Sequence, residues 1–355
     1  MRFVNHIVNY WLTNFDTTVN PLCLSLRQAP TFPQEGTACY LFAPMSLEVF
    51  VLGTGGTMPL PHRHLTSALV RRDGDLFLFD CGEGTQIALK KMNLRWKKIN
   101  AIFISHTHAD HITGLPGMLM LSSQVDRTEP LYLIGPAKVK DYFEASRRTL
   151  EMYLNYEIIV KEIRNPEEPQ IVYQAEGYRV RSFPLHHSRV CVGYTLEEFD
   201  RPGVFYPDKA RELGVPVGPM FSQLQAGESV TLSDGRVVES SQVVGAHRPG
   251  LKFSYVTDTA PTSAIVPAVA GSDLLLCEGM FTRDLEAGAR EKRHLTSTQA
   301  AQIASAAAVR QMGLIHYSPR CNEKDLKRLV KEAREVFPDT FLARDGQTIE
   351  IPNRE

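Results

Sequence analysis

Apolar residues along this chain gather in short runs, and several of the runs stop at a glycine, an acidic residue or a histidine. Leu47 to Leu52 runs into Gly53-Thr54-Gly55-Gly56, Ser67 to Val70 and Leu76 to Phe79 flank the turn Arg72-Asp73-Gly74-Asp75, and Asn100 to Ser105 follows. Gly177 to Arg181, Val192 to Thr195, Phe253 to Val256 and Gly313 to Ile315 repeat the pattern further on. Runs of this length bounded by turn residues predict short buried strands. Gln86 to Asn93 and Thr298 to Met312 read as helices instead, and Ile112 to Leu119 as a turn entering a helix. Strands alternating with helices predict an α/β domain, a four-layer αβ/βα sandwich.

Two stretches lack this order. Residues 1–44 show no sustained period, and no basic stretch leads into a long apolar one, so a signal peptide is not expected. They read as an N-terminal extension or an over-called start, with the domain running over residues 45–355. The second stretch, Thr195 to Lys252, carries Arg201-Pro202-Gly203 and Leu213-Gly214-Val215-Pro216-Val217-Gly218-Pro219. A loop this long in a compact domain is usually functional or disordered.

Composition narrows the classes. At 355 residues and 43% hydrophobic content the chain can bury a full core, yet no apolar run approaches a membrane span, so no membrane partner is expected. Six cysteines are scattered without CxxC pairs, which suits reduced thiols in cytoplasm. A net charge of −1 argues against a generally basic surface, so any nucleic-acid partner needs local patches. Lys90-Lys91-Met92-Asn93-Leu94-Arg95-Trp96-Lys97-Lys98 is the candidate patch. It reads equally as a helix end whose lysines complement the helix dipole.

The chemistry concentrates after the run ending at Ile104. Ser105-His106-Thr107-His108-Ala109-Asp110-His111 places three imidazoles and one carboxylate on a strand-end loop, a donor set suited to two zinc-class cations. His106 and His108 can point one way along an extended stretch, while Asp110 and His111, where the chain turns, serve a neighbouring position. Further donors close later strands: His186 and His187, then Asp258, whose carboxylate suits a bridge between two cations, then His316. The glycines after Leu52 do not form a nucleotide-binding loop, because neither GxGxxG nor a Lys-Ser/Thr end follows. A dinuclear metal hydrolase is the reading.

The order HxHxDH, PLxH followed by Gly-Tyr, a strand ending Asp-Thr, HxxxxQAA and LxHxSPR resembles the metallo-β-lactamase fold. Within it, from about Met45 to Phe341, it resembles the ribonuclease Z family, endonucleases that trim the 3′ trailer of precursor tRNA. The resemblance implies that His106, His108 and His187 hold one Zn2+ or Mn2+, that Asp110, His111 and His316 hold another, and that Asp258 bridges them. The family spacing selects His187 over His186. Asp80, in Asp-Cys-Gly-Glu-Gly-Thr, matches a motif that orients the ligand loop. Two departures stand out: Cys277-Glu278-Gly279-Met280 keeps only the Glu of the family's HEAT, and Pro59-Leu60-Pro61-His62-Arg63-His64 replaces a PxKxRN loop.

Two cations about 3.5 to 4 Å apart would lower the pKa of a bridging water, with Asp110 orienting it. His294, a non-ligand imidazole, is the candidate acid for the leaving 3′ oxygen. The resemblance further implies an inserted tRNA-binding arm over about residues 200–250, and a homodimer in which one subunit's arm presents tRNA to the other's metals. The alternative is another hydrolase of this fold, a phosphodiesterase or thioester hydrolase acting on a small molecule. Such enzymes share the first motif but should lack the arm and His294.

Overall fold

The computed structural model describes residues 47–125 and 127–354. The extension read over residues 1–44 lies outside the described residues. Strands β1 (Leu47–Gly53), β2 (Ser67–Arg72) and β3 (Asp75–Phe79) form an antiparallel meander, which β4 (Ile99–Phe103), β5 (Leu131–Pro136) and β6 (Ile158–Ile163) extend in parallel. A second sheet opens with the antiparallel strands β7 (Gln170–Ala175), β8 (Tyr178–His186) and β9 (Val190–Glu198). After an insertion carrying the small hairpin β10 (Val230–Thr231) and β11 (Val237–Val238), it continues through β12 (Lys252–Val256), β13 (Leu274–Glu278), β14 (Met312–Ile315) and β15 (Thr340–Leu342). The last strand, β16 (Thr348–Ile351), crosses back to pair with β1, giving two seven-stranded sheets.

The strands are apolar on consecutive residues because both faces of each sheet are covered. In β3, Phe77 and Phe79 point between the sheets, where they meet Phe103, Tyr194 and Phe253, while Leu76 and Leu78 point outward. That outer face packs on the helices Thr85–Lys91, Leu115–Gln124 and Ala137–Thr149. The second sheet is covered in the same way by Ile265–Val269, Ser297–Ala306 and Glu323–Arg334. The result is the αβ/βα sandwich of the sequence reading.

Several boundaries differ. The helix read over Thr298 to Met312 ends at Ala306, and Met312 opens β14 instead. Ala308, in the left-handed region at φ 48°, turns the chain so that Met312 can pair with Leu275 of β13. The strand read over Gly177 to Arg181 continues to His186, because β8 pairs with β9 along its whole length. The stretch read as patternless, Thr195 to Lys252, contains the helices Pro207–Glu212, Pro219–Gln225 and Ser240–Val243. With β10 and β11 these enclose a separate small core of Ala210, Val215, Leu224, Val230, Leu232, Val238 and Val243. Elements this short give a sequence period too little length to register. Of the basic run, Lys90 and Lys91 sit in the last turn of their helix, and Trp96 packs against the outer core. Among the described residues no helix is long and apolar enough to cross a membrane.

Candidate metal centre and catalytic site

β4, β12, β13 and β14 lie in parallel runs, so their C-terminal ends open on one edge, where sites in such sheets collect. β4 delivers the segment from Ser105 to His111, β12 delivers Asp258, β13 ends at Glu278 and β14 is followed by His316. β8 from the antiparallel half adds His187. Asp110 and His111 belong to a single helical turn, Ala109–Ile112, whereas His106 and His108 precede it in extended chain. The motif thereby splits its donors between two places.

The structure brings all seven expected ligand residues together in two adjoining groups. In the first, His187 Nε2 lies 3.1 Å from His108 Nδ1 and 3.5 Å from Asp258 Oδ2, and His106 Nε2 lies 3.7 Å from the same oxygen. In the second, His316 Nε2 lies 3.2 Å from His111 Nε2, 3.2 Å from Asp110 Oδ2 and 3.0 Å from Asp258 Oδ1. Asp258 thus offers one oxygen to each group. Ligand atoms about 2.0–2.1 Å from a tetrahedral zinc-class ion stand about 3.3 Å apart, so these separations fit such an ion. His106 Nε2 is buried without a hydrogen-bond partner, the state of a donor aimed at a cation.

The rings are held by their outer nitrogens. Asp80, fully buried at φ 56°, accepts from His111 Nδ1 at 2.7 Å, from Ser105 N at 2.7 Å, from Ser105 Oγ at 2.9 Å and from Tyr255 Oη at 3.0 Å. Ser105 Oγ lies 3.0 Å from His106 Nδ1, so one carboxylate fixes a histidine of each group. The carbonyl of Arg293 holds His187 Nδ1 at 3.1 Å, and the Thr57 amide donates to Asp110 Oδ2 at 2.6 Å. Gly82 of the Asp80 motif lies against the ligand turn, where an added Cβ would come within 2.4 Å of the Asp110 carbonyl oxygen. Gly56 leaves room for His316, whose backbone is itself in the left-handed region at φ 61°. Sequence reasoning named neither Ser105, Gly56, Thr57 nor Arg293 for these tasks, because their parts depend on where distant strands place them.

Electrostatics separates the groups. Burial pulls the imidazoles of His106, His108 and His187 below their ordinary value, His187 to about 4, so they are neutral, as ligands must be. Burial also opposes charge on His111 and His316, but Asp258 and Asp110 outweigh it, raising His111 well above its usual value and His316 to about 10. Burial likewise favours neutral carboxyls at Asp110 and Asp258, yet the facing imidazoles hold both below the carboxylate range. Protons here occupy the place of positive charge that a cation would take.

His294 stands beside the second group, its ring 5.6 Å from that of His316. Its Nδ1 lies 3.1 Å from Glu278 Oε1, and the same oxygen accepts the Thr259 amide at 2.7 Å, next to the shared Asp258. Glu278, which the sequence reading met only as the remnant of a motif, ties this imidazole to the bridging strand end. Burial lowers the His294 pKa, but pairing with Glu278 more than offsets it, and the net shift is upward. His294 also lines a cavity of about 660 Å³ with His108, Asp110, Asp258, Lys292 and Arg293.

A sandwich of this kind with a histidine- and aspartate-rich edge defines a metallo-β-lactamase-fold hydrolase. A family model described as the beta-lactamase superfamily domain matches residues 237–317, and one described as anti-Pycsar protein Apyc1 matches residues 47–196. The chain is 61% identical to ribonuclease Z of Treponema denticola over 86% of this chain and 99% of the relative, and 44% identical to that of Borreliella burgdorferi over 86% and 97%. Among solved structures, the short form of human tRNase Z superposes with a TM-score of 0.63 at 24% identity, covering 86% of this chain and 99% of the other. The chain belongs to the ribonuclease Z family, and it is a hydrolytic endoribonuclease of the type that processes the 3′ end of tRNA.

Proposed function

We propose that the chain removes the 3′ trailer from precursor tRNA by hydrolysis of one phosphodiester, leaving a 3′-hydroxyl on the tRNA. The observation that carries this reading is the division of the Asp258 carboxylate between two groups of donors beside a cavity lined by His294. His106, His108 and His187 would hold one ion, Asp110, His111 and His316 the other, and Asp258 both. Zinc suits the nitrogen-rich set, with manganese the alternative. When bound, two such ions would lower the pKa of a water and offer positive charge to the phosphoryl oxygens.

The side chains do the rest. Asp110, fixed by the Thr57 amide, presents a carboxylate that orients the attacking water. Lys292 and Arg293 on the cavity wall attract the phosphate backbone. His294, with Glu278 holding Nδ1, carries its proton at Nε2 to the departing 3′ oxygen. The inserted segment between β9 and β12 has its own core and is joined to the sandwich where Arg201 and Arg248 exchange backbone hydrogen bonds of 2.9 Å. These features suit an arm that grips tRNA away from the metals. Homodimerisation, with one subunit's arm serving the other's site, follows from the family resemblance, as does a cytoplasmic setting where precursor tRNA is made.

His294→Ala tests the reading. The variant should retain its metal and lose about 10²–10⁴-fold in precursor cleavage, the usual loss of a general acid. A diester with a nitrophenolate leaving group, which needs no proton, should be cleaved nearly as by the parent enzyme. Loss of metal would make His294 a ligand, and equal loss on both substrates would remove it from proton transfer.

A further inference from the structure

The paired histidines at the end of β8 are sorted to opposite sides. Neighbours on an extended chain point to opposite faces, so burying His187 among the ligands turns His186 away from them. The Thr259 hydroxyl accepts the His186 amide at 2.9 Å, and His186 bridges Ala260, which holds this backbone against the end of β12. The imidazole itself is exposed and lines a second cavity of about 410 Å³ with Ala260, Pro261, Thr262, Arg290, His294 and Gln299. His294 is the residue common to this cavity and the one above the metal ligands.

We infer that this second cavity binds the last nucleotide retained on the tRNA, with its base stacked on the His186 imidazole. The inference rests on the proposed role of His294. In an in-line displacement the leaving oxygen departs opposite the attacking water, so the group that protonates it marks the leaving side. That oxygen is the 3′ oxygen of the last retained nucleotide. The nucleotide therefore continues past His294, away from the metal ligands, and into the adjoining cavity. Its size falls within the roughly 300–1,000 Å³ of ligand sites. Unpaired bases are recognised by stacking on aromatic or imidazole faces, and His186 is the aromatic ring here that no other task occupies. Gln299 is not free to read the base, because its side-chain oxygen accepts the Thr296 amide and its nitrogen donates to Glu286. Arg290, at the rim with Glu286 3.6 Å away, is placed to meet the phosphate on the 5′ side of this nucleotide.

The test uses the metal-loaded full chain and three precursor tRNAs: unmodified, lacking the base at the last retained nucleotide, and lacking the base at the first trailer nucleotide. With the parent enzyme, removing the retained base should lower kcat/KM by roughly 5- to 150-fold, the range of one base–aromatic stack. His186→Ala should lower cleavage of the unmodified substrate by a similar factor and abolish the difference between it and the retained-abasic one. His186→Phe should restore that difference, which a merely structural histidine would not. If His186→Ala slows both substrates equally, or if His186→Phe behaves like His186→Ala, the stacking assignment is overturned. A penalty that couples to the trailer base instead would place the other side of the scissile bond in this cavity and also overturn it. Failure of the parent enzyme to leave a 3′-hydroxyl on tRNA would refute the underlying function, an outcome read separately on the product.

Discussion

Asp80→Asn isolates how much of the metal centre depends on one buried carboxylate. The change keeps size and shape, and asparagine tolerates the left-handed backbone that Asp80 adopts at φ 56°. Four donors converge on the carboxylate: the Ser105 amide on Oδ1, and Ser105 Oγ, His111 Nδ1 and Tyr255 Oη on Oδ2. An amide has one acceptor oxygen. If that oxygen faces His111, the new NH2 group opposes the Ser105 amide. If it faces Ser105, the NH2 opposes His111 and forces the ring proton onto Nε2, the atom aimed at the cation. The first orientation is the milder, and it leaves a buried donor unpaired, at about 1–3 kcal/mol. His111 Nδ1 then faces a neutral amide oxygen in place of a carboxylate, and metal affinity at the His111 position should fall, by up to about the 10–100-fold usual when such a partner is lost altogether. The His106 position, reached only through the Ser105 hydroxyl, should change less. Competition with a graded chelator, following release of each ion, measures both. Two affinities within twofold of the parent would refute the argument that Asp80 sets the ligand rings.

Asp258→Ala should lose metal at both positions, because each group takes one oxygen from that carboxylate; elemental analysis still finding two ions per chain would remove Asp258 as the shared ligand. Gly56→Ala places a Cβ 2.6 Å from His316 Cε1 and 2.7 Å from Nε2, so the ring must move and metal content at that position should drop; unchanged content and activity would show that the loop yields instead. Replacing Pro202–His247 by a short linker joins Arg201 to Arg248, whose backbones are already hydrogen-bonded, and should weaken precursor cleavage far more than hydrolysis of a small phosphodiester. Equal loss on both substrates would make the segment a structural part of the sandwich.

The sequence by itself made most strands of the sandwich and the candidate donor residues legible. The apolar runs of β1 to β4 are legible because strands covered on both faces carry apolar side chains on consecutive residues, a local demand that the sequence records. His106, His108, Asp110 and His111 are legible because one loop carries them all. Other features required the tertiary structure. Asp110 and His316 are 206 residues apart in sequence yet 3.2 Å apart in space, a distance set by which strands pair across two sheets. The structure also decided that His108 presents Nδ1 while His187 presents Nε2, since Ser188 Oγ lies 3.4 Å from His108 Nε2 and the Arg293 carbonyl holds His187 Nδ1. The same holds for Glu278, which became the partner of His294 only when β13 was laid parallel to β12. His186 and His187 are identical in chemistry, and the end of β8, with the Arg293 carbonyl on His187, turns one to the candidate ligand group and the other to the neighbouring cavity. A sequence records the chemistry available at each position; its direction in space comes from non-local pairing, which no short motif encodes.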